Sequence, residues 1–203
     1  MATQLYLLPI QKAKEYGEDY HARFFPNRLE KSRQLRMEND RLRCLCGSIL
    51  LHEVLGLDEK QLIILPNGKP VAPSLGREFN LSHSGEYVVL AVSHHSVGVD
   101  VERCSLQHIR VAPREYTSEE LQWMAEKPEE RFTLLWTMKE AVSKALGLGL
   151  RLPFREFSVL PLLRGEALPL RGVTLYGHSL PLLGYSLSVC TAGELGEVTI
   201  LTL

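Results

Sequence analysis

The chain has 203 residues, 45% of them apolar and 23% charged, with a net charge of −1. That length can bury a real core, in one moderate domain or two small ones in contact. The near-neutral balance gives no global basic field for nucleic acid, and no run of uncharged apolar residues is long enough to span a membrane. The opening Met1–Pro9 segment has neither the basic flank nor the apolar stretch of a secretory leader, so the reading is a cytoplasmic protein. Cys44, Cys46, Cys104 and Cys190 lack a zinc-ribbon spacing and read as reduced thiols.

In chain order, residues 4–10 alternate weakly and predict an edge strand. Residues 11–27 are polar with interspersed aromatics and predict a helix ending at Pro26. A basic stretch follows, Arg28, Lys31, Arg33, Arg36, Arg41 and Arg43, with Glu30, Glu38 and Asp40 interleaved. It is either a solvated helix face or the rim of a phosphate site. From Asn39 to Leu57, apolar residues recur at three and four, a strong amphipathic helix with Gly56 as its stop. Gln61–Leu65 predicts a short buried strand and Asn67-Gly-Lys-Pro70 a turn. Phe79–Ser84 and Glu86–Ser93 predict two strands joined at Gly85.

The second half restarts with a strand at Val97. Thr117 and Glu120 have the spacing of a capping box, and Pro128 opens a long helix that stops at Gly147. Residues 157–160, 173–176, 185–190 and 198–203 predict strands. Each half thus has a main helix followed by antiparallel strands. The class is α+β, two similar halves related by a pseudo-twofold, residues 1–96 and 97–203.

Chemistry concentrates in Val97-Gly-Val-Asp-Val-Glu102. On a strand, Asp100 and Glu102 share a face, roughly 6–7 Å apart. They are either two solvated surface acids or a pair held by a hard cation between them. In Trp136-Thr-Met-Lys-Glu-Ala-Val-Ser-Lys144, Glu140 and Lys144 sit at i, i+4 on one helix face. They are either a surface ion pair, or a third oxygen ligand with a cation beside a phosphate. Three acids with adjacent lysines suggest a phosphate-ester substrate.

Four segments occur in order: Asn67-Gly-Lys-Pro70, Phe79-Asn-Leu-Ser-His-Ser84, Gly98-Val-Asp-Val-Glu102 and Trp136–Lys144. Together they resemble the 4′-phosphopantetheinyl transferase superfamily, in its monomeric, two-lobed, surfactin-synthetase-activating type. The resemblance implies transfer of the 4′-phosphopantetheine arm of coenzyme A to a serine hydroxyl of an apo acyl, peptidyl or polyketide carrier protein, with release of adenosine 3′,5′-bisphosphate. It implies Mg²⁺, or Mn²⁺, on Asp100, Glu102 and Glu140. It places Lys144 at the transferred phosphate, Ser82 and His83 at a coenzyme A phosphate, and Lys69 and Pro70 beside the adenine. Arg43 falls at the nucleotide, Arg28 and Lys31 at the 3′-phosphate, and Lys139 joins the donor-binding set. Glu140, Lys144 and Glu120 are the catalytic candidates, with Glu120 matching an acid proposed to help deprotonate the serine. The stretch around Arg110, Arg114, Tyr116, Leu121 and Trp123 is the expected carrier-docking face, unless its aromatics pack inward. The alternatives are a catalytically silent coenzyme A-binding regulatory protein of the same fold and a Mg²⁺-dependent phosphohydrolase.

Overall fold

A computed structural model describes residues 2–107 and 109–203. The N-terminal elements are β1 (Thr3–Pro9), α1 (Glu18–Phe24), α2 (Pro26–Gln34), α3 (Glu38–Leu55), β2 (Ile63–Ile64), β3 (Pro70–Val71), β4 (Glu78–Ser84) and β5 (Tyr87–Ser93). There follow β6 (Val97–Arg103), α4 (Ala112–Glu115), α5 (Ser118–Ala125), α6 (Pro128–Ala145), α7 (Leu160–Leu163), β7 (Leu168–Leu170), β8 (Val173–Leu182), β9 (Tyr185–Ala192) and β10 (Val198–Thr202). The fold is α+β, as the patterning predicts.

Two 18-residue helices, α3 and α6, each cover a four-stranded sheet. α3 packs Leu42, Cys46, Ile49 and Leu50 on Phe79, Val88, Leu90 and Val92. α6 packs Leu135, Met138, Ala141 and Val142 against Leu162, Leu175 and Cys190. A third core joins the lobes: Leu5, Leu7, Val89 and Ala91 from β1 and β5 meet Val97, Val99, Val101, Leu187 and Val189 from β6 and β9. The central strands are therefore covered on both faces, which is why Tyr87–Val92 reads as a continuous apolar run rather than an alternation.

The first sheet has the order β10-β1-β5-β4 and the second β6-β9-β8-β7. β10 leaves the second half and pairs in parallel with β1, Thr3 opposite Val198 through Leu7 opposite Thr202. A division at residue 96 is therefore crossed by the last strand, which completes the sheet of the first lobe. Edge strands β4 and β6 face each other at the seam. They are joined through side chains: Asn80 Oδ1, Ser82 Oγ and Ser84 Oγ accept the backbone N–H groups of Val99, Val101 and Arg103. These alternate residues of β4 satisfy the donors that an unpaired strand edge would leave buried.

Several predicted elements differ. Residues 11–27 do not form one helix. Pro26 opens α2 instead of ending a helix, because proline suits the first helical turn, while Phe25 before it is pushed out of the helical region (φ −141°, ψ 61°). The basic stretch from Arg28 to Arg33 lies on α2. Ile63 and Ile64 belong to a two-residue strand and are 53% and 61% exposed rather than buried. They pair with Val71 and Pro70 in a small hairpin outside both sheets. Residues 157–160 form no strand: Pro161 lies in the first turn of α7, and Leu160 begins that helix.

Candidate active site

β6 sends Val97, Val99 and Val101 into the interlobe core, so Gly98, Asp100 and Glu102 face α6. Gly98 decides how close the helix comes. A Cβ there would lie 2.1 Å from the Ala141 carbonyl oxygen and 2.4 Å from the Ala145 nitrogen, so only glycine permits this backbone approach. The close crossing lays Glu140 and Lys144 over the two strand acids.

Asp100 is 4% exposed. Its Oδ1 accepts from Ser82 Oγ at 2.7 Å and from Lys144 Nζ at 2.6 Å. Lys144 Nζ also reaches the Val99 carbonyl at 3.1 Å and Ser82 Oγ at 3.2 Å. Asp100 Oδ2 is buried with no hydrogen-bond partner. Glu102 Oε2 accepts from Ser84 Oγ at 2.6 Å. Glu140 is half-buried, and desolvation holds its carboxyl above the usual range. The negative charges of Asp100 and Glu102 push the same way, and Lys144 opposes them. With Leu81, His83 and Trp136 these groups line a pocket of about 310 Å³.

The donor set is all oxygen and suits a hard cation such as Mg²⁺. Among the described residues, no three His, Cys, Asp or Glu side chains already stand together as a metal cluster. In this arrangement Lys144 supplies the positive charge at Asp100. The fit to a cation is carried by the orphaned Oδ2: a buried carboxylate oxygen without a donor is costly, and it sits beside two further acids. Asp100, Glu102 and Glu140 therefore suit such an ion.

On one side this pocket shares Leu81 and His83 with a basic cleft of about 470 Å³. Arg28, Lys31, Arg43, Gly68 and Pro70 line that cleft too. Gly47 on α3 makes room for Arg28, whose Nη1 would lie 2.3 Å from a Cβ there. Arg43 pairs with Asp40 and donates to the Gly85 carbonyl at 2.5 Å, holding the β4–β5 turn beside the cleft. Partial desolvation and the Arg43 guanidinium keep the His83 ring below its ordinary value. Lys69 lies in the same turn as Gly68, but its ammonium is directed at Glu78, 3.8 Å away, and burial lowers its affinity for the proton. On the other side, the pocket shares Glu102 and Trp136 with a mostly apolar groove of about 390 Å³, lined also by Arg103, Ser105, Val111, Phe132 and Thr133. The three hollows are contiguous.

Two sequence candidates lie elsewhere. Glu120 and Lys139 are each 0% exposed and face one another at 2.9 Å. Glu120 Oε1 accepts from Val159 N and Oε2 from Thr117 N. Lys139 Nζ donates to the carbonyls of Phe154 and Phe157, both at 2.7 Å. Every polar atom of the pair is used inside the second core, so neither reaches the donor cleft. The helical period explains Lys139: it is one residue, about 100°, from Glu140, which turns it to the core. Of the expected docking aromatics, Tyr116 is buried, while Trp123 is only partly buried, with Arg131 stacked 4.3 Å from its ring centroid. Ser84 was not among the sequence candidates, although the Asn80, Ser82, Ser84 alternation on β4 was its visible signal.

A family model described as the 4′-phosphopantetheinyl transferase superfamily matches residues 96–179, the segment holding all three carboxylates and Lys144. The chain is 35% identical to the 4′-phosphopantetheinyl transferase gsp of Aneurinibacillus migulanus over 58% of this chain and 54% of that protein. It is 31% identical to Sfp of Bacillus subtilis strain 168, over 72% of this chain and 70% of that protein. With psf-1 of Bacillus pumilus the identity is 31% over 94% and 88%. On this similarity, and with the four ordered motifs meeting at one seam, the chain belongs to the 4′-phosphopantetheinyl transferase superfamily, in its two-lobed, surfactin-synthetase-activating branch, and is a transferase.

Proposed function

We propose that this protein transfers the 4′-phosphopantetheine arm of coenzyme A to a serine hydroxyl of an apo carrier protein in the presence of Mg²⁺, releasing adenosine 3′,5′-bisphosphate. The observation that carries the reading is the continuity of three hollows with different chemistry. The basic cleft suits an anionic nucleotide, the acidic pocket suits a cation and the bond that breaks, and the apolar groove suits the uncharged arm and the approaching acceptor.

In the basic cleft, Arg28 and Lys31 bind the 3′-phosphate, Arg43 the nucleotide, and the turn at Gly68–Pro70 walls the adenine. At the seam, Lys144 and His83 donate to the oxygens that gain charge as the phosphate leaves. Asp100, Glu102 and Glu140 hold a divalent cation, which when bound neutralises charge on the pyrophosphate. Ser82 and Ser84 fix the rotamers of Asp100 and Glu102 through their hydroxyls. The acceptor serine loses its proton as it attacks, and we assign that proton to Glu140, through the carboxylate oxygen the cation leaves free. Both halves of the site lie on one chain, so a monomer suffices. No described helix is long and apolar enough to cross a membrane, and we place the reaction in the cytoplasm.

The test is a mass measurement on apo carrier proteins incubated with the protein, coenzyme A and Mg²⁺. A gain equal to one phosphopantetheine arm, lost with EDTA, supports the reading, and the ranking of carriers names the acceptor. Tight coenzyme A binding with no gain on any carrier favours the catalytically silent alternative. Absence of both overturns the use assigned to the cleft.

A further inference from the structure

We infer that Asn67 is an interlobe latch, a positioning residue that ties the turn walling the basic cleft to the end of the helix bearing Glu140 and Lys144. The β2–β3 hairpin has two residues per strand, lies outside both sheets and exposes Ile63 and Ile64. A two-stranded hairpin of that size does not hold its place unaided. Yet its turn supplies Gly68 and Pro70 to the basic cleft, so its position sets the shape of the cleft.

Asn67 uses both ends of its amide. Oδ1 accepts the Lys69 N–H at 3.1 Å, which shapes the turn. Nδ2 donates to the Gly147 carbonyl at 2.7 Å, 80 residues away on the other lobe. Within the turn, Gly68 at φ 84° brings its N–H to the Leu65 carbonyl, and Leu65 N–H meets the Lys69 carbonyl. Gly147, at φ 67°, follows the C-cap Leu146 of α6 and donates its own N–H to the Lys144 carbonyl at 3.1 Å. Gly147, which anchors the turn, is thus tied to the backbone of Lys144. One side chain therefore references the nucleotide wall to the helical turn that presents the ammonium at the seam. The latch acts through the shape of the cleft: losing it loosens the hairpin and weakens donor binding, while the groups around Asp100 stay in place.

This rests on the proposed use of the cleft for coenzyme A. The experiment compares the parent chain with Asn67→Asp, which keeps the acceptor for Lys69 N–H and loses the donor to Gly147, and with Asn67→Ala, which loses both. Coenzyme A is titrated by calorimetry, KM and kcat are measured with an apo carrier protein, and amide exchange is followed at residues 63–71. For Asn67→Asp, Kd and KM for coenzyme A rise about fivefold, as for one lost hydrogen bond, with kcat within about twofold. Exchange at 63–71 quickens and the thermal midpoint stays put. Parent-like binding and exchange in Asn67→Asp, with loosening only in Asn67→Ala, would confine the residue to its own turn and overturn the latch. If the parent binds no coenzyme A, the assignment of the cleft fails. The latch is then read from exchange alone: quickened in Asn67→Asp it stands, unchanged it falls.

Discussion

Lys144 Nζ lies 2.6 Å from one oxygen of Asp100, and the other oxygen of that carboxylate is buried without a partner. The amine balances a charge that faces two more acids. In Lys144→Ala that balance is gone, and stability falls by about 2 kcal/mol, short of a fully buried pair because the lysine is 25% exposed. Mg²⁺ then raises the thermal midpoint more in the variant than in the parent, whereas turnover drops by roughly 10²-fold or more. Equal Mg²⁺ shifts in both proteins would mean that Lys144 does not carry the compensation.

Gly98 is a packing requirement. A methyl group there meets backbone atoms of Ala141 and Ala145, which cannot rotate away. Gly98→Ala costs about 3 kcal/mol through overpacking, read as a lowered urea midpoint with an unchanged slope. At temperatures where the variant is folded, activity is still reduced, because the helix must step back and take Glu140 and Lys144 with it. Parent-like stability and activity would show that the crossing has slack.

Glu120 and Lys139, sealed on one another, are expected to act in stability and not in chemistry. Glu120→Gln or Lys139→Met leaves one buried charge alone and costs about 3 kcal/mol by urea denaturation. The double variant Glu120→Gln/Lys139→Met removes both charges but regains only part of that loss, because the Phe154 and Phe157 carbonyls lose their donor and one of the Thr117 and Val159 N–H groups meets an amide nitrogen. Corrected for the folded fraction, kcat of Glu120→Gln stays near the parent. A kcat collapse in fully folded Glu120→Gln would restore it as the base.

His21 is 1% exposed, and neither of its ring nitrogens has a hydrogen-bond partner. Burial lowers its proton affinity below the ordinary 6.5. The unfolded chain therefore binds the proton more readily. The contribution of His21 to stability is complete above pH 6.5 and is lost as pH falls below it, at up to about 1.4 kcal/mol per pH unit until the folded-state value is reached. His21→Phe flattens the difference between unfolding curves at pH 7 and pH 5. An unchanged difference would assign the acid sensitivity to other groups.

The sequence by itself determined the long helices, the capping box, the strand acids and the ordered motifs, since each is written in local spacing: three and four for α3 and α6, two for β6. It also marked Asp100, Glu102, Glu140 and Lys144 as one chemical set. It could not say which face of a helix meets solvent when both faces carry charge. Lys139 and Glu140 are neighbours in sequence, yet one is sealed against Glu120 and the other faces the strand acids. Nor could it place Glu120, whose capping position is legible while its 0% exposure depends on α6 and the 154–159 segment closing over it. The crossing of β10 to β1, the seam of Asn80, Ser82 and Ser84, and the reach of Asn67 to Gly147 join residues 80 or more apart, or edges of different sheets. Only the tertiary structure decides these, because hydrogen bonds between distant segments depend on how whole sheets pack and leave no period in the chain.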